Sequence, residues 1–144
     1  MQDGCIFCRI DNDRIIDENS LSYAIIDNFP VSEGHTLIIP KRHEPDYFLL
    51  TNEEKRSCDE LLERARSRIL TSDPTVEGFN VGINIGEVAG QSIFHCHIHL
   101  IPRRKGDTPN PRGGIRHVIP QRSESSGSIT MVPLPSECRE SKVR

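Results

Sequence analysis

The segment Phe94-His95-Cys96-His97-Ile98-His99-Leu100-Ile101 places three histidines at every second position, with an apolar residue after each. Successive side chains of a strand point to opposite faces, so His95, His97 and His99 share one face and Phe94, Cys96, Ile98 and Leu100 the other. In a helix, residues two apart do not face each other and the row scatters around the axis. The pattern therefore demands a sheet that carries a line of imidazoles on one surface. A lone histidine beside an apolar run is most simply a satisfied structural residue. Three at this spacing, each titrating near neutrality, are groups suited to act as base, nucleophile or metal ligand. One ion shared by all three is a rival reading. It is disfavoured because, at roughly 3.3 Å per residue, the outer Cα atoms lie about 13 Å apart. Catalysis by at least one imidazole is preferred.

Residues 21 to 27 and 36 to 39 read as two further strands, the second stopped by Pro40. The turn-rich Asn28-Phe29-Pro30-Val31-Ser32-Glu33-Gly34 between them predicts antiparallel pairing. From 52 to 70 the period changes: Cys58, Leu61, Leu62, Ala65 and Ile69 recur at helical spacing, and Thr51 with Glu54 forms a capping box. Glu53, Glu60, Glu63 and Arg64 make its solvated face. Residues 79 to 85 alternate as a half-buried strand, and Gly86 to Ser92 then lead into the histidines, with glycines that let main-chain amides approach an anion. After Arg104 the composition turns to Gly, Pro, Ser and Arg, and beyond Gln121 no period remains. The expected organisation is one domain over 1–120 and a flexible tail over 121–144.

No apolar run approaches the ~20 residues of a membrane span. The amino terminus shows no basic segment followed by an apolar stretch, so no secretory leader is expected and the location reads as cytoplasmic. A net charge of −3 argues against a broad nucleic-acid surface. Lys41-Arg42-His43 and Arg103-Arg104-Lys105 are short basic clusters, either solvated loop ends or a means of steering a polyphosphate. Cys58, Cys96 and Cys138 have no evident partners, consistent with a reducing compartment. Cys5-Ile6-Phe7-Cys8 is a redox pair, half of a zinc site or coincidence; without a thioredoxin-like βαβ context, zinc is preferred.

The run Gln91-Ser92-Ile93-Phe94-His95-Cys96-His97-Ile98-His99-Leu100-Ile101 resembles the signature of the histidine triad family of nucleotide hydrolases and transferases. The likeness extends through Asp27 to His43 and back to Cys5 and Cys8, over residues 4 to 120. Asn110-Pro111-Arg112-Gly113-Gly114 is similar to bacterial diadenosine tetraphosphate hydrolase-like members. The resemblance implies an α+β domain: a sheet of about five antiparallel strands with one main helix and a short N-terminal helix. It also implies a homodimer formed through the helix and a strand.

Several roles follow from the same resemblance. His97 is the nucleophile that attacks an α-phosphorus to give a nucleotidyl-histidine. The carbonyl of His95 orients it, His99 reaches a phosphate or bridging oxygen, and His35 supports the site from a neighbouring strand. Ser92 and Gln91, with the loop amides, bind the α-phosphate or leaving group, and Gly90, Ile93 and Asn84 are further nucleotide-binding residues. Asp27 accepts hydrogen bonds from the ribose hydroxyls. Ile6, Phe7, Ile10, Ile25 and Leu37 sandwich the base. Cys5, Cys8, His43 and His95 complete a closed structural zinc site. The implied activity is hydrolysis of a nucleoside phosphate derivative, a dinucleoside polyphosphate or adenosine phosphoramidate, releasing a nucleoside monophosphate with adenine as the expected base. Transfer to another phosphate acceptor, or nucleotide binding with vestigial catalysis, are the alternatives.

Overall fold

The computed structural model describes residues 3–120. Residues up to Pro111 form one unit and those from Arg112 a second. The described part of the second, 112–120, carries a 3-10 turn at Gly114–Val118. The tail expected over 121–144 lies outside the described residues.

The first unit is a five-stranded sheet: β1 Ile15–Glu18, β2 Ser22–Ile26, β3 Thr36–Pro40, β4 Val76–Gly82 and β5 Ile98–Arg104. Their order is β1-β2-β3-β5-β4, with every neighbouring pair antiparallel. One helix, α1 Asn52–Ser72, begins at the expected capping box: the Glu54 amide donates to Thr51 Oγ1 at 3.1 Å, and the Thr51 amide to Glu54 Oε1 at 3.0 Å. Its apolar stripe, Cys58, Leu61 and Ala65, packs on Ala24, Ile38, Ile98 and Leu100. Those are alternate residues on one face of β2, β3 and β5. The other face carries Tyr23, Ile25, Leu37 and Ile39, covered by Phe7 with Cys5, Ile10, Ile15 and Ile93. With both faces covered, β3 is buried along its whole length, which is why it reads as a continuous apolar run rather than an alternation.

Register decides where the histidines go. Ile98 pairs with Ile38 and Leu100 with Thr36, which puts Ile98 and Leu100 under α1. His99 pairs with Leu37 and lies on the opposite face.

Several expectations need correction. The histidine strand begins only at Ile98, so His95 and His97 precede it in irregular chain. Phe94, expected on the buried apolar face, is half exposed, because residues 93–95 form a bend rather than a pleat. The strand expected over 79–85 is Val76–Gly82, ending before the loop that leads to the histidines. The short N-terminal helix is a 3-10 turn, Asn12–Arg14. β1 carried no sequence signal of its own. Four residues in an intermediate-exposed alternation are too short to stand out, and β1 exists by pairing with β2.

Candidate active site

His35, His95 and His97 are each held by a main-chain group, His99 by His35, and these contacts assign the tautomers. His97 Nδ1 lies 2.8 Å from the His95 carbonyl oxygen. A carbonyl only accepts, so Nδ1 carries the hydrogen and Nε2 keeps its lone pair. His97 is 6% exposed and the Phe7 ring packs edge-on against it, centroids 5.2 Å apart.

His99 takes the opposite state. The Val31 amide donates to His35 Nδ1 at 3.2 Å, so the hydrogen of neutral His35 sits on Nε2. That Nε2 lies 2.9 Å from His99 Nδ1 and donates to it. His99 then holds its hydrogen on Nε2, which is buried without a partner among the described residues. A buried unmade hydrogen bond costs about 1–3 kcal/mol, a cost that a substrate oxygen at this point would remove. Burial, followed by the neighbouring His97 and His35, pushes His99 down to about 4, so it is neutral at pH 7. Burial also lowers His35, opposed by the Asp27 carboxylate 3.5 Å from Nε2. The rings of His97 and His99 are 5.1 Å apart. Side by side they offer one lone pair and one N–H.

A pH dependence follows. Between the ordinary histidine value of 6.5 and about 4, the unfolded chain binds a proton at His99 that the folded chain refuses. More protons on the unfolded side make stability rise with pH through this window, so it is lost on acidification. His35, also lowered, adds in the same direction. The urea midpoint is expected to fall from pH 7 to pH 4.5, and His99→Gln to flatten that fall. An equal slope in the variant would assign it to other groups.

His95 is fully buried and faces away from the other two. Its Nε2 donates to the Pro40 carbonyl at 2.7 Å, leaving Nδ1 as a lone pair aimed at Cys5 Sγ, 3.5 Å, and Cys8 Sγ, 3.6 Å. His43 Nδ1 lies 3.3 Å from Cys8 Sγ. The four ligand atoms sit within 4.8 Å of one another. Bond lengths of roughly 2.3 Å to sulfur and 2.0–2.1 Å to nitrogen at tetrahedral angles give S···N edges of about 3.6 Å. The spacing and the S2N2 donor set therefore fit a tetrahedral metal. The Pro40 carbonyl supplies the outer hydrogen bond that metal-bound imidazoles commonly make.

The structure brings together most, not all, of the residues picked from sequence. Cys5, Ile6, His43, Ser92 and Ile93 line one cleft of about 380 Å³, with Phe94 as a further wall. Gly86 and Gly90, at φ 88° and 87°, bound the turn before Ser92 in a backbone region closed to most residues. Ser92 is exposed, and Asn84 is partly buried with no side-chain hydrogen bond among the described residues. Asp27 Oδ1 accepts from the Phe29 amide at 2.9 Å, and Oδ2 faces His35.

Gln91 departs from its expected role. Its Oε1 accepts from the Gly86 amide at 2.9 Å and its Nε2 donates to the Pro45 and Ile93 carbonyls, so the side chain closes the loop and has nothing left for a phosphate. The base-binding group divides as well: Ile6 is 57% exposed, Ile10 is partly covered, and Phe7, Ile25 and Leu37 are core. Ile25 and Leu37 are register partners at the sheet centre, where packing leaves little surface free. Four of the five lysines and arginines in the basic clusters are committed to ion pairs. Lys41 pairs with Glu18, Arg42 with Glu44 and Glu54, Arg103 with Asp107, and Arg104 with Asp73. The Pro40 carbonyl and Val31 amide were invisible in sequence, since main-chain groups carry no residue signature.

The sequence matches the HIT domain over residues 10–106. The adenosine 5'-monophosphoramidase of Schizosaccharomyces pombe is 36% identical over 78% of this chain and 80% of its own length. An adenylylsulfatase of Arabidopsis thaliana is 37% identical over 74% of this chain and 56% of its own. A zinc-bound histidine triad family protein of Mycobacterium smegmatis superposes with a TM-score of 0.67 at 33% identity, over 74% of this chain and 80% of that one. No helix among the described residues is long and apolar enough to cross a membrane. With the family match running from the N-terminal turn past β5, and His99 on the sheet face opposite α1, the chain belongs to the HIT, or histidine triad, family.

Proposed function

We propose that the protein is a nucleotide hydrolase that attacks the α-phosphorus of a nucleoside phosphate derivative through His97. The observation that carries this reading is the pair of opposed tautomers: a lone pair at His97 Nε2 beside an orphaned N–H at His99 Nε2. The lone pair forms an N–P bond as the P–O or P–N bond to the leaving group breaks. The leaving group takes its proton from solvent. Water then adds to phosphorus, the N–P bond breaks, and a nucleoside monophosphate departs. His99, neutral at pH 7, stabilises charge on a phosphate oxygen by hydrogen bonding rather than by giving up a proton.

Adenine as the base is supported by the names of the S. pombe and Arabidopsis relatives. Asp27 binds the ribose, and Ser92 with the amides of 92 and 93 holds phosphate oxygens. Zinc at Cys5, Cys8, His43 and His95 is a closed structural site that uses the side chain of His95 and leaves its carbonyl for His97. The outer edge of β4 pairs with no other described strand, which suits a cytoplasmic homodimer built on α1 and β4.

Incubation with adenosine phosphoramidate or a labelled adenine dinucleotide, followed by a rapid alkaline quench, is expected to trap an acid-labile adenylyl group mapping to His97 by mass spectrometry. Tight AMP binding with no adduct from any substrate would make the protein a binding module instead. Transfer of label to added phosphate or sugar phosphate in preference to water would make it a transferase.

A further inference from the structure

The loop between β2 and β3 supplies the amide that sets the His35 tautomer, yet it has almost no apolar anchor. Phe29 and Val31 are 85% and 73% exposed. Arg14 ties its start, donating to Asn28 Oδ1 at 2.7 Å, and Arg104, at the far end of β5, holds residues 32 and 33. The guanidinium NH1 donates to Ser32 Oγ at 2.8 Å, and NH2 to the Glu33 carbonyl at 2.9 Å. On its other side NH2 donates to Asp73 Oδ2 at 2.7 Å and Nε to Thr75 Oγ1 at 3.2 Å, both in or beside the connection from α1 to β4. Four of the five donors of the side chain are thus committed, two to the loop and two to an anchor outside it. Ser32 Oγ donates onward to the Pro102 carbonyl at 2.7 Å, and the Ser32 carbonyl accepts from the His35 amide at 3.0 Å. From there the contacts run Val31 amide, His35, His99.

We infer that Arg104 is a positioning residue: by clamping residues 32 and 33 it holds the Val31 amide on His35 and so keeps the His99 Nε2–H aimed at the substrate oxygen. The inference rests on the role proposed for His99. A lysine keeps the charge but lacks the planar fork that spans loop and anchor together, so charge alone does not replace it.

The test begins on ligand-free, uniformly 15N-labelled protein at pH 8, where His35 and His99 are neutral. Long-range 1H–15N correlation is expected to show His35 and His99 both protonated on Nε2, with a downfield His35 Nε2–H protected from exchange. In Arg104→Gln that proton is expected to exchange at least about tenfold faster, while the amides of β3 exchange as in wild type. A second, Nδ1-protonated form of His99 becomes detectable. With an adenosine phosphoramidate substrate, kcat falls roughly three- to tenfold and KM stays within about twofold. Arg104→Lys lies between the two.

A folded Arg104→Gln whose His35 and His99 resonances and exchange match wild type would overturn the clamp. So would parallel acceleration of every amide, which marks a general loss of stability. Should Arg104→Gln fail to fold, Ser32→Ala removes one of the clamp's two loop contacts and is expected to give a smaller shift of the same sign; no shift would again overturn the inference. Accelerated exchange with undiminished turnover supports the clamp and overturns the role proposed for His99.

Discussion

Replacing His97 with asparagine is expected to lower kcat by roughly 10⁴-fold or more on every substrate the wild type cleaves, with KM changed only a few-fold. Removing a nucleophile from a group that works as a unit costs on the order of 10⁶ in a well-studied hydrolase, and what survives comes from binding and oxyanion contacts. Asparagine keeps an N–H able to reach the His95 carbonyl, so the local hydrogen bond is replaced while the lone pair is lost. Nearly complete burial of His97 makes the smaller amide the safer replacement, since it adds no volume to a packed site. Steady-state kinetics across phosphoramidates, dinucleotides and adenylyl sulfate would check it. Retention of more than about 1% of wild-type turnover would remove His97 as the bond-forming atom.

Chelation, or Cys8→Ser, carries the second large effect. Cys8 Sγ faces both His43 and His95, so its loss opens the four-ligand group at the centre. A metal at 1,000 times its dissociation constant stabilises a fold by about 4 kcal/mol. For a chain of this size that corresponds to a fall of melting temperature on the order of 10 °C or more when the metal is removed. Elemental analysis is expected to find one zinc per chain. Thermal scans with and without a strong chelator would then separate by that amount. The site joins the N-terminal turn to the exit of β3 and to the bend before β5, three segments otherwise linked on this side by Phe7 and its neighbours. Its removal is also expected to loosen the His95 carbonyl and with it His97, so activity falls alongside stability. Zinc-free protein with an unchanged melting temperature would make Cys5 and Cys8 ordinary thiols.

The two effects meet in His95, whose side chain belongs to one group and whose carbonyl serves the other. The bend at residues 93–95 allows this. A regular pleat would have kept His95 in the row with His97 and His99, as alternation predicts. The bend turns its ring toward the cysteines instead.

Alternation and spacing were enough to mark β2, β3, β4 and β5 and the helix with its cap, because side-chain period and capping are local properties written in consecutive residues, whereas the expected row of three imidazoles is broken at His95 by the bend. The grouping of Cys5 and Cys8 with His43 and His95 was legible through the family resemblance, and the fold brings the four together. The resemblance implied that the His95 carbonyl orients His97, but tertiary structure alone decided which nitrogen of His35, His95 and His99 carries the hydrogen. Those states are set by the Pro40 carbonyl and the Val31 amide, groups that nearly every residue type possesses and no sequence pattern marks. It also decided that Gln91 closes its own loop, that Ile25 and Leu37 are core, and that four of the five lysines and arginines in the basic clusters are paired. Each of these depends on which distant segment the fold lays alongside, and long-range proximity is a property of the packed chain rather than of any stretch within it.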